Sequence, residues 1–208
     1  MSRVRTAVIL AGGQNTRYPF LKSFIELAGV RIIERTIELL RKKFPSVLLS
    51  TNQPERYFHL GLPMIGDVLP SRGPMSGMHA SLLHADGDAA LFLACDMPFV
   101  ADDVVTCICE HYCRAAASGP VDVVVPVFHG RPQPLIAVYA KSVLPALEGA
   151  VCTDKVALLR FFEEVRASFV AEAVLKNMDA EGRSFVNINT VDDYAAVVAS
   201  LEQSRVSA

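Results

Sequence analysis

The chain lacks an excess of charge of either sign: twenty lysines and arginines face twenty-two acids over 208 residues, a formal net charge of −2. No broad positive field exists to hold a nucleic-acid backbone, so any anion must be gripped locally. The longest basic run, Arg41-Lys42-Lys43, falls near the end of a predicted helix, where cations offset the helix dipole. Long apolar runs are missing as well. No stretch approaches the roughly 18 apolar residues of a membrane span. The N-terminal apolar stretch is short, ends in two glycines and has no small-residue cleavage pattern behind it, so it reads as a strand rather than a signal peptide. The five cysteines are an odd number without paired spacing, which argues against a disulfide framework. Cys107, Cys109 and Cys113 lie in one helical stretch with no further CxxC to complete a tetrahedral site, so packing is expected of them. His79 and His84 miss the i,i+4 spacing of a zinc helix. These absences describe a soluble, cytoplasmic protein with neither nucleic acid nor membrane as partner.

What is present is a large apolar fraction, 51% of residues, enough to bury a full core at a length usual for one α/β domain spanning residues 1–208. Strands are expected at Arg5–Ala11, Ser46–Thr51, Pro63–Ile65, Ala89–Ala94, Val121–Val127 and Leu135–Ala140. Between them lie helical patterns. Val30, Ile33, Ile37, Leu40 and Phe44 recur at spacings of three and four, predicting a helix over Val30–Phe44, and Thr190 is placed to cap another over Val191–Leu201. Runs such as AVIL and ALFLA are apolar throughout, as strands covered on both faces require. The expected architecture is a three-layer α/β/α sandwich around a mostly parallel, Rossmann-like sheet, with ligands beyond the carboxyl ends of its strands.

Four loops stand in that position. After the first strand come Gly12, Gly13, Asn15 and Arg17, with Lys22 five residues on; glycine amides and two cations suit a triphosphate. The segment matches neither the Walker pattern nor the dinucleotide fingerprint, and an ordinary glycine turn is the plain alternative. Asp96, in Cys95-Asp96-Met97-Pro98, is a carboxylate at a strand tip and a natural Mg²⁺ ligand, with a turn or cap role as its alternative. Asp67 to Gly77 combines an acid, Arg72 and small residues before a helix at Met75–His84, and helix N-termini attract anions. Phe185–Thr190 reads as a strand that sets Asn187 and Asn189 on one face, two carboxamides offering donors and acceptors. His129 in HGRPQPL fits substrate contact or a turn equally. Asp154, Lys155 and Arg160 fit a helix face with ion pairs or an anion site.

In this order the motifs resemble the molybdenum cofactor guanylyltransferase family, within nucleotidyltransferases whose opening motif is LxAGGxSxRxGxxK-like. The matching residues are Leu10-Ala11-Gly12-Gly13, Arg17 and Lys22; Gly73-Pro74 and Gly77; Cys95-Asp96-Met97-Pro98; His129 to Leu135; and Asn187-Ile188-Asn189-Thr190. The resemblance spans nearly the whole chain. It implies a nucleotidyltransferase-type fold and transfer of GMP from GTP to the phosphate of molybdopterin, with Mg²⁺ as cofactor and pyrophosphate as leaving group. Such a nucleophile is already ionised near neutral pH, and no general base is evident. On the resemblance, Arg17, Lys22 and Asp96 are catalytic, and Asp96 holds the metal. The nucleotide is met by Leu10, Ala11, Gly12, Gly13 and Lys22, and further by Asn52, Asp67, Gly73, Pro74 and Asp96. Gln133, Asn187 and Asn189 lie on the molybdopterin or metal side.

Members that use GTP carry two glycines in the opening turn, whereas similar cytidylyltransferases carry alanine where Gly12 stands, so guanine is implied. The chain departs from the family pattern twice: Asn15 replaces the serine, and Pro19 replaces a glycine, fixing φ and removing a backbone donor. Either the loop takes another path to the phosphates, or activity is reduced. Beside it, Tyr18 covers the loop or stacks on a ligand. The alternatives within enzymes are a cytidylyltransferase or sugar-phosphate nucleotidyltransferase. Outside them stands a GTP-binding sensor or chaperone for molybdenum enzymes. Protein partners implied by the resemblance are molybdoenzyme chaperones and other cofactor-biosynthesis proteins.

Overall fold

The structure, a computed structural model, describes residues 4–12, 22–70, 72–153 and 157–206. From the N-terminus, β1 (Val4–Leu10) is followed by a hairpin of β2 (Glu26–Leu27) and β3 (Val30–Arg31), then α1 (Ile32–Arg41), β4 (Ser46–Ser50) and β5 (Met64–Ile65). Next come α2 (Pro74–His84), β6 (Ala89–Ala94), α3 (Asp102–Ser118), β7 (Val123–Phe128), β8 (Arg131–Pro132) and β9 (Ile136–Ala140). The chain ends with α4 (Leu144–Cys152), α5 (Leu158–Phe161), β10 (Ala167–Val170), α6 (Glu172–Lys176) and α7 (Val191–Val206). Among the described residues the main sheet has eight strands in the order β10-β7-β9-β6-β1-β4-β5, with β8 added to β7. No described helix is long and apolar enough to cross a membrane.

Period-two alternation divides the sheet's side chains between two apolar layers. Ala7, Ile9, Leu91 and Leu93 pack with Ile33, Ile37 and Leu40 of α1 and with Val104, Val105 and Ile108 of α3. Their neighbours Val8, Leu10, Ala90 and Phe92 pack on the other face with Met75, Met78 and Leu82 of α2 and Leu147 and Val151 of α4. Burial on both sides explains why β1 and β6 read as continuous apolar runs. A smaller apolar group, Ile25, Leu27, Ile32, Ile188 and Val197, joins the β2-β3 hairpin to α7.

The pairings of β1, β4, β5 and β6 are parallel, as is that of β7 with β10. β9 runs antiparallel to both β6 and β7. The connection from β7 to β9 is too short for a crossover, so the chain must double back.

Two sequence expectations need correction. The helix expected from Val30 begins at Ile32, because Val30 and Arg31 pair with Leu27 and Glu26 across a turn at Ala28 and Gly29, both with positive φ. Phe185–Thr190 is not a strand: a 3₁₀ turn occupies Arg183–Phe185, Val186 after it is extended, and the residues that follow have no ladder partner among the described residues. Its backbone is held instead by side chains and by the end of β6. The strand β10, four residues with Phe169 exposed, carries too weak an alternation to be legible beforehand.

At the amino ends of β7 and β10 a charged clamp closes the sheet. Arg166 donates from Nε and Nη2 to Asp122 at 2.8 and 2.7 Å, and Ser142 Oγ donates at 2.6 Å. The Arg166 hydrogen bonds, opposed by burial and helped by Ser142, pull the Asp122 carboxyl from 3.8 down to about 2. A folded pKa below the unfolded one adds stability that is present above pH about 4 and vanishes as the pH falls toward 2. Discounted for water around the exposed guanidinium, Asp122→Asn is expected to cost about 1–2 kcal/mol at neutral pH. Urea midpoints of both proteins between neutral pH and about pH 2 should converge in acid.

Candidate functional site

The site grows from the alignment of strand ends. Leu10 of β1 stands level with Ser50 of β4 and Ala94 of β6. The ladder continues one step: Ala11 N–H donates to Ser50 O at 2.9 Å and Cys95 N–H to Leu10 O at 3.1 Å. Gly12, Asn52 and Asp96 therefore leave the sheet at one carboxyl edge, where α/β sheets bind ligands. Leu10 itself is in the sheet, its side chain in the α2 layer, and Ala11 is half-buried. Gly12 is exposed, and a Cβ there would meet nothing within 4 Å among the described residues. Gly13, Asn15, Arg17, Tyr18, Pro19 and the side chain of Lys22 lie outside the described residues, as do Asp154 and Lys155.

Asn52 and Asp67 form a reciprocal pair: Asn52 Nδ2 donates to Asp67 Oδ2, and Asp67 N–H donates to Asn52 Oδ1, both at 2.8 Å. One carboxamide thus sets both the backbone and the carboxylate of Asp67. The following loop is stapled by Ser76, whose Oγ donates to Pro70 O at 2.7 Å and accepts from Arg72 N–H at 2.9 Å. Arg72 Nη1 also donates to Val151 O at the end of α4. Gly73 caps α2 with φ 68° and ψ −161°, backbone that is essentially restricted to glycine, and Pro74 occupies the first helical position. With no capping side chain among the described residues, the first turn of α2 leaves amide donors for an anion. Gly77 lets this turn press against Ser50 Oγ and toward Asp67.

Asp96 is half-buried, and its carbonyl accepts the N–H of Ile188 at 3.0 Å. That bond docks the C-terminal segment on the end of β6 and brings Asn187 and Asn189 beside it. Asn187 Oδ1 is buried with no hydrogen-bond partner among the described residues. Asn189 is exposed, and its N–H donates to Asp193 Oδ2 at 2.8 Å. Asp193 accepts from Thr190 N–H too, while its own N–H donates to Thr190 Oγ1 at 3.1 Å, so α7 starts in a capping box. Gln133 N–H donates to Pro126 O at 2.9 Å and its Nε2 to Arg131 O at 3.2 Å. Ala94 N–H donates to Leu135 O at 2.9 Å, which lays segment 133–135 along the Asp96 end of β6. His129 and Gly130, both at positive φ, form the two-residue turn between β7 and β8.

Four supporting residues were not foreseen. Asp179 accepts the N–H groups of Arg183 and Ser184 at 3.0 and 2.7 Å, and Ser184 Oγ accepts from Ala101 N–H at 3.0 Å. Gly182, at φ 67°, faces the Phe128 ring, which stacks on Phe185 at 4.9 Å. Each contact joins stretches more than fifty residues apart or depends on a turn's handedness, which single-sequence patterns do not carry. The capping box was legible, since Thr190 stands three residues before Asp193.

The described part of the site offers hard oxygen donors, carboxylates at Asp67 and Asp96 and the orphaned Asn187 oxygen. Among the described residues no group of three or more His, Cys, Asp or Glu could hold a metal ion. A cation here would complete its shell from phosphate and water, which is how Mg²⁺ ordinarily binds.

Residues 7–168 match the model of the MobA-like NTP transferase domain. The chain is 34% identical over 204 residues to the probable molybdenum cofactor guanylyltransferase of Clostridium perfringens, covering 95% of this chain and 98% of that protein. It is 33% identical over 200 residues to the probable molybdenum cofactor guanylyltransferase of Pelotomaculum thermopropionicum, covering 96% and 95%. Among solved structures it is similar to molybdopterin-guanine dinucleotide biosynthesis protein A from Archaeoglobus fulgidus, with TM-score 0.80, 26% identity, and coverage of 95% of this chain and 99% of that one.

A Cβ at Gly182 would penetrate the Phe128 ring and force a left-handed backbone on an ordinary residue. Gly182→Ala is expected to destabilise the fold by roughly 2 kcal/mol or more. Urea denaturation measures the loss, and an unchanged midpoint would show that the segment before Asn187 is not seated on Phe128.

Proposed function

The chain belongs to the family of MobA-like NTP transferase domains, and from that premise we propose that it transfers GMP from GTP to the phosphate of molybdopterin, releasing pyrophosphate. The observation that carries this reading is the convergence, at one sheet edge, of the Asn52-Asp67 pair with Asp96 and its docked Asn187. The first pair suits a base and the second a phosphate centre.

A carboxylate accepts hydrogen bonds and donates none. Guanine presents two adjacent donors, its ring N1–H and its amino group, whereas cytosine sets a ring acceptor beside its amino group. Asp67, held by Asn52, therefore favours guanine. Among the described residues nothing lies within 4 Å of a Cβ placed at Gly12, which fits passage of the nucleotide close to the backbone.

In the transfer, a phosphate oxygen of molybdopterin attacks the α-phosphorus of GTP, and the bond from that phosphorus to the oxygen of the β-phosphate breaks. No residue need remove a proton from an ionised phosphate. The work left to the protein is alignment of two anions and neutralisation of the leaving charge. Lys22 and Arg17 fit that role by type and position in the sequence, and the first turn of α2 adds backbone donors. Asp96 would hold a divalent cation, which we take to be Mg²⁺, with the Asn187 oxygen as a further donor. When bound, the cation supplies positive charge across the phosphates. Asn189 and Gln133 flank this centre on the side left for the pterin. The five cysteines are free thiols, which fits a reducing cytoplasm, and molybdoenzyme chaperones are the protein partners that fit such a product.

Incubation with Mg²⁺, molybdopterin and GTP, CTP or ATP in turn should give pyrophosphate and a dinucleotide from GTP alone. Product from CTP would overturn the base assignment, and GTP bound without product would favour a sensor. Asp96→Asn should lower turnover about 100-fold or more with the fold retained. Wild-type rates in that variant would remove Asp96 from the metal centre.

A further inference from the structure

Beyond the groups that meet substrate, a buried polar contact fixes the residue next to Lys22. Ser23 and Tyr57 are 2% and 3% exposed, and their hydroxyls share a hydrogen bond of 3.1 Å across 34 positions of sequence. Phe24 packs its ring on Tyr57 at 5.3 Å and on His59 at 5.5 Å, and the Arg31 guanidinium lies over Phe24 at 5.3 Å. The 3₁₀ turn Lys22–Phe24 therefore hangs on the segment that follows Asn52. Burial raises the Tyr57 pKa, against the Ser23 hydrogen bond, which lowers it.

Stability alone does not account for these two hydroxyls. Replacing both partners of a buried hydrogen bond by apolar groups of the same shape is often close to neutral, and phenylalanine would fill the same volume. What the bond adds over apolar packing is direction, which sets the rotation and height of the turn that begins with Lys22. Misplacing a charged group by about 1 Å can cost up to two orders of magnitude in rate.

We infer that the Ser23-Tyr57 hydroxyl pair is a positioning device that sets where Lys22 enters the phosphate end of the site. The inference rests on the proposed nucleotidyl transfer. Tyr57→Phe should raise the KM for GTP roughly five- to tenfold and leave the KM for molybdopterin unchanged. Ser23→Ala should do the same, the double variant should be no worse than either single one, and Ser23→Thr should restore the KM. A merely structural role would instead lower apparent kcat with the folded fraction and leave both KM values alone; that result, or additive effects in the double variant, overturns the inference. Lys22→Ala is measured in parallel. If it turns over GTP like the wild type, the reading of Lys22 itself fails. If it is inactive while Tyr57→Phe is silent, the positioning role alone is refuted.

Discussion

The parallel register of β4, β1 and β6 is the constraint on which the rest depends. Leu10, Ser50 and Ala94 stand level, so three chains leave the sheet together, and Gly12, Asn52 and Asp96 follow at one edge. A slip of one residue would exchange the two faces of a strand. Here both faces are buried, yet they are not equivalent. Ala7 and Ile9 fit against α1 and α3, Val8 and Leu10 against α2 and α4, and the two helix layers pack different side chains against the sheet. Packing on both sides therefore fixes the register, and the register places the loops.

The C-terminal third supplies what the parallel strands cannot. After β10 the chain returns through Asp179, which grips two successive amides, and through Gly182, which admits Phe128. Ile188 then inserts into the apolar group under the β2-β3 hairpin while its amide binds the Asp96 carbonyl. One segment thus connects the hairpin after Lys22, the tip of β6 and the start of α7. A buried oxygen such as that of Asn187, without a partner among the described residues, carries a desolvation cost.

Charge is used sparingly. Asp67 is tied to a carboxamide, and Asp96 stands just past the tip of β6. The Asp122-Arg166 clamp is at the opposite edge of the sheet and serves the fold. The Cys109 thiol, pushed up to about 12 by burial, is inert packing material, in line with its helical setting.

By itself the sequence determined the periodic features: apolar runs for strands covered on both faces, the three-four spacing of α1, the carboxylate at the tip of β6 and the Thr190 cap. These are legible because they follow from local geometry and from which side chains water excludes. It also marked Asp67, Gly73 and Asn187 by type and by their place in familiar motifs. The tertiary structure decided the antiparallel insertion of β9, the late strand β10, the 3₁₀ turn where a strand was expected, and the supports at Asp179, Gly182, Ser184 and Tyr57. Most of these rest on contacts between distant stretches, whose entropy cost is repaid once the sheet has brought them together, so no local pattern announces them; the Asp179 bonds, four and five residues long, close around the left-handed turn at Gly182.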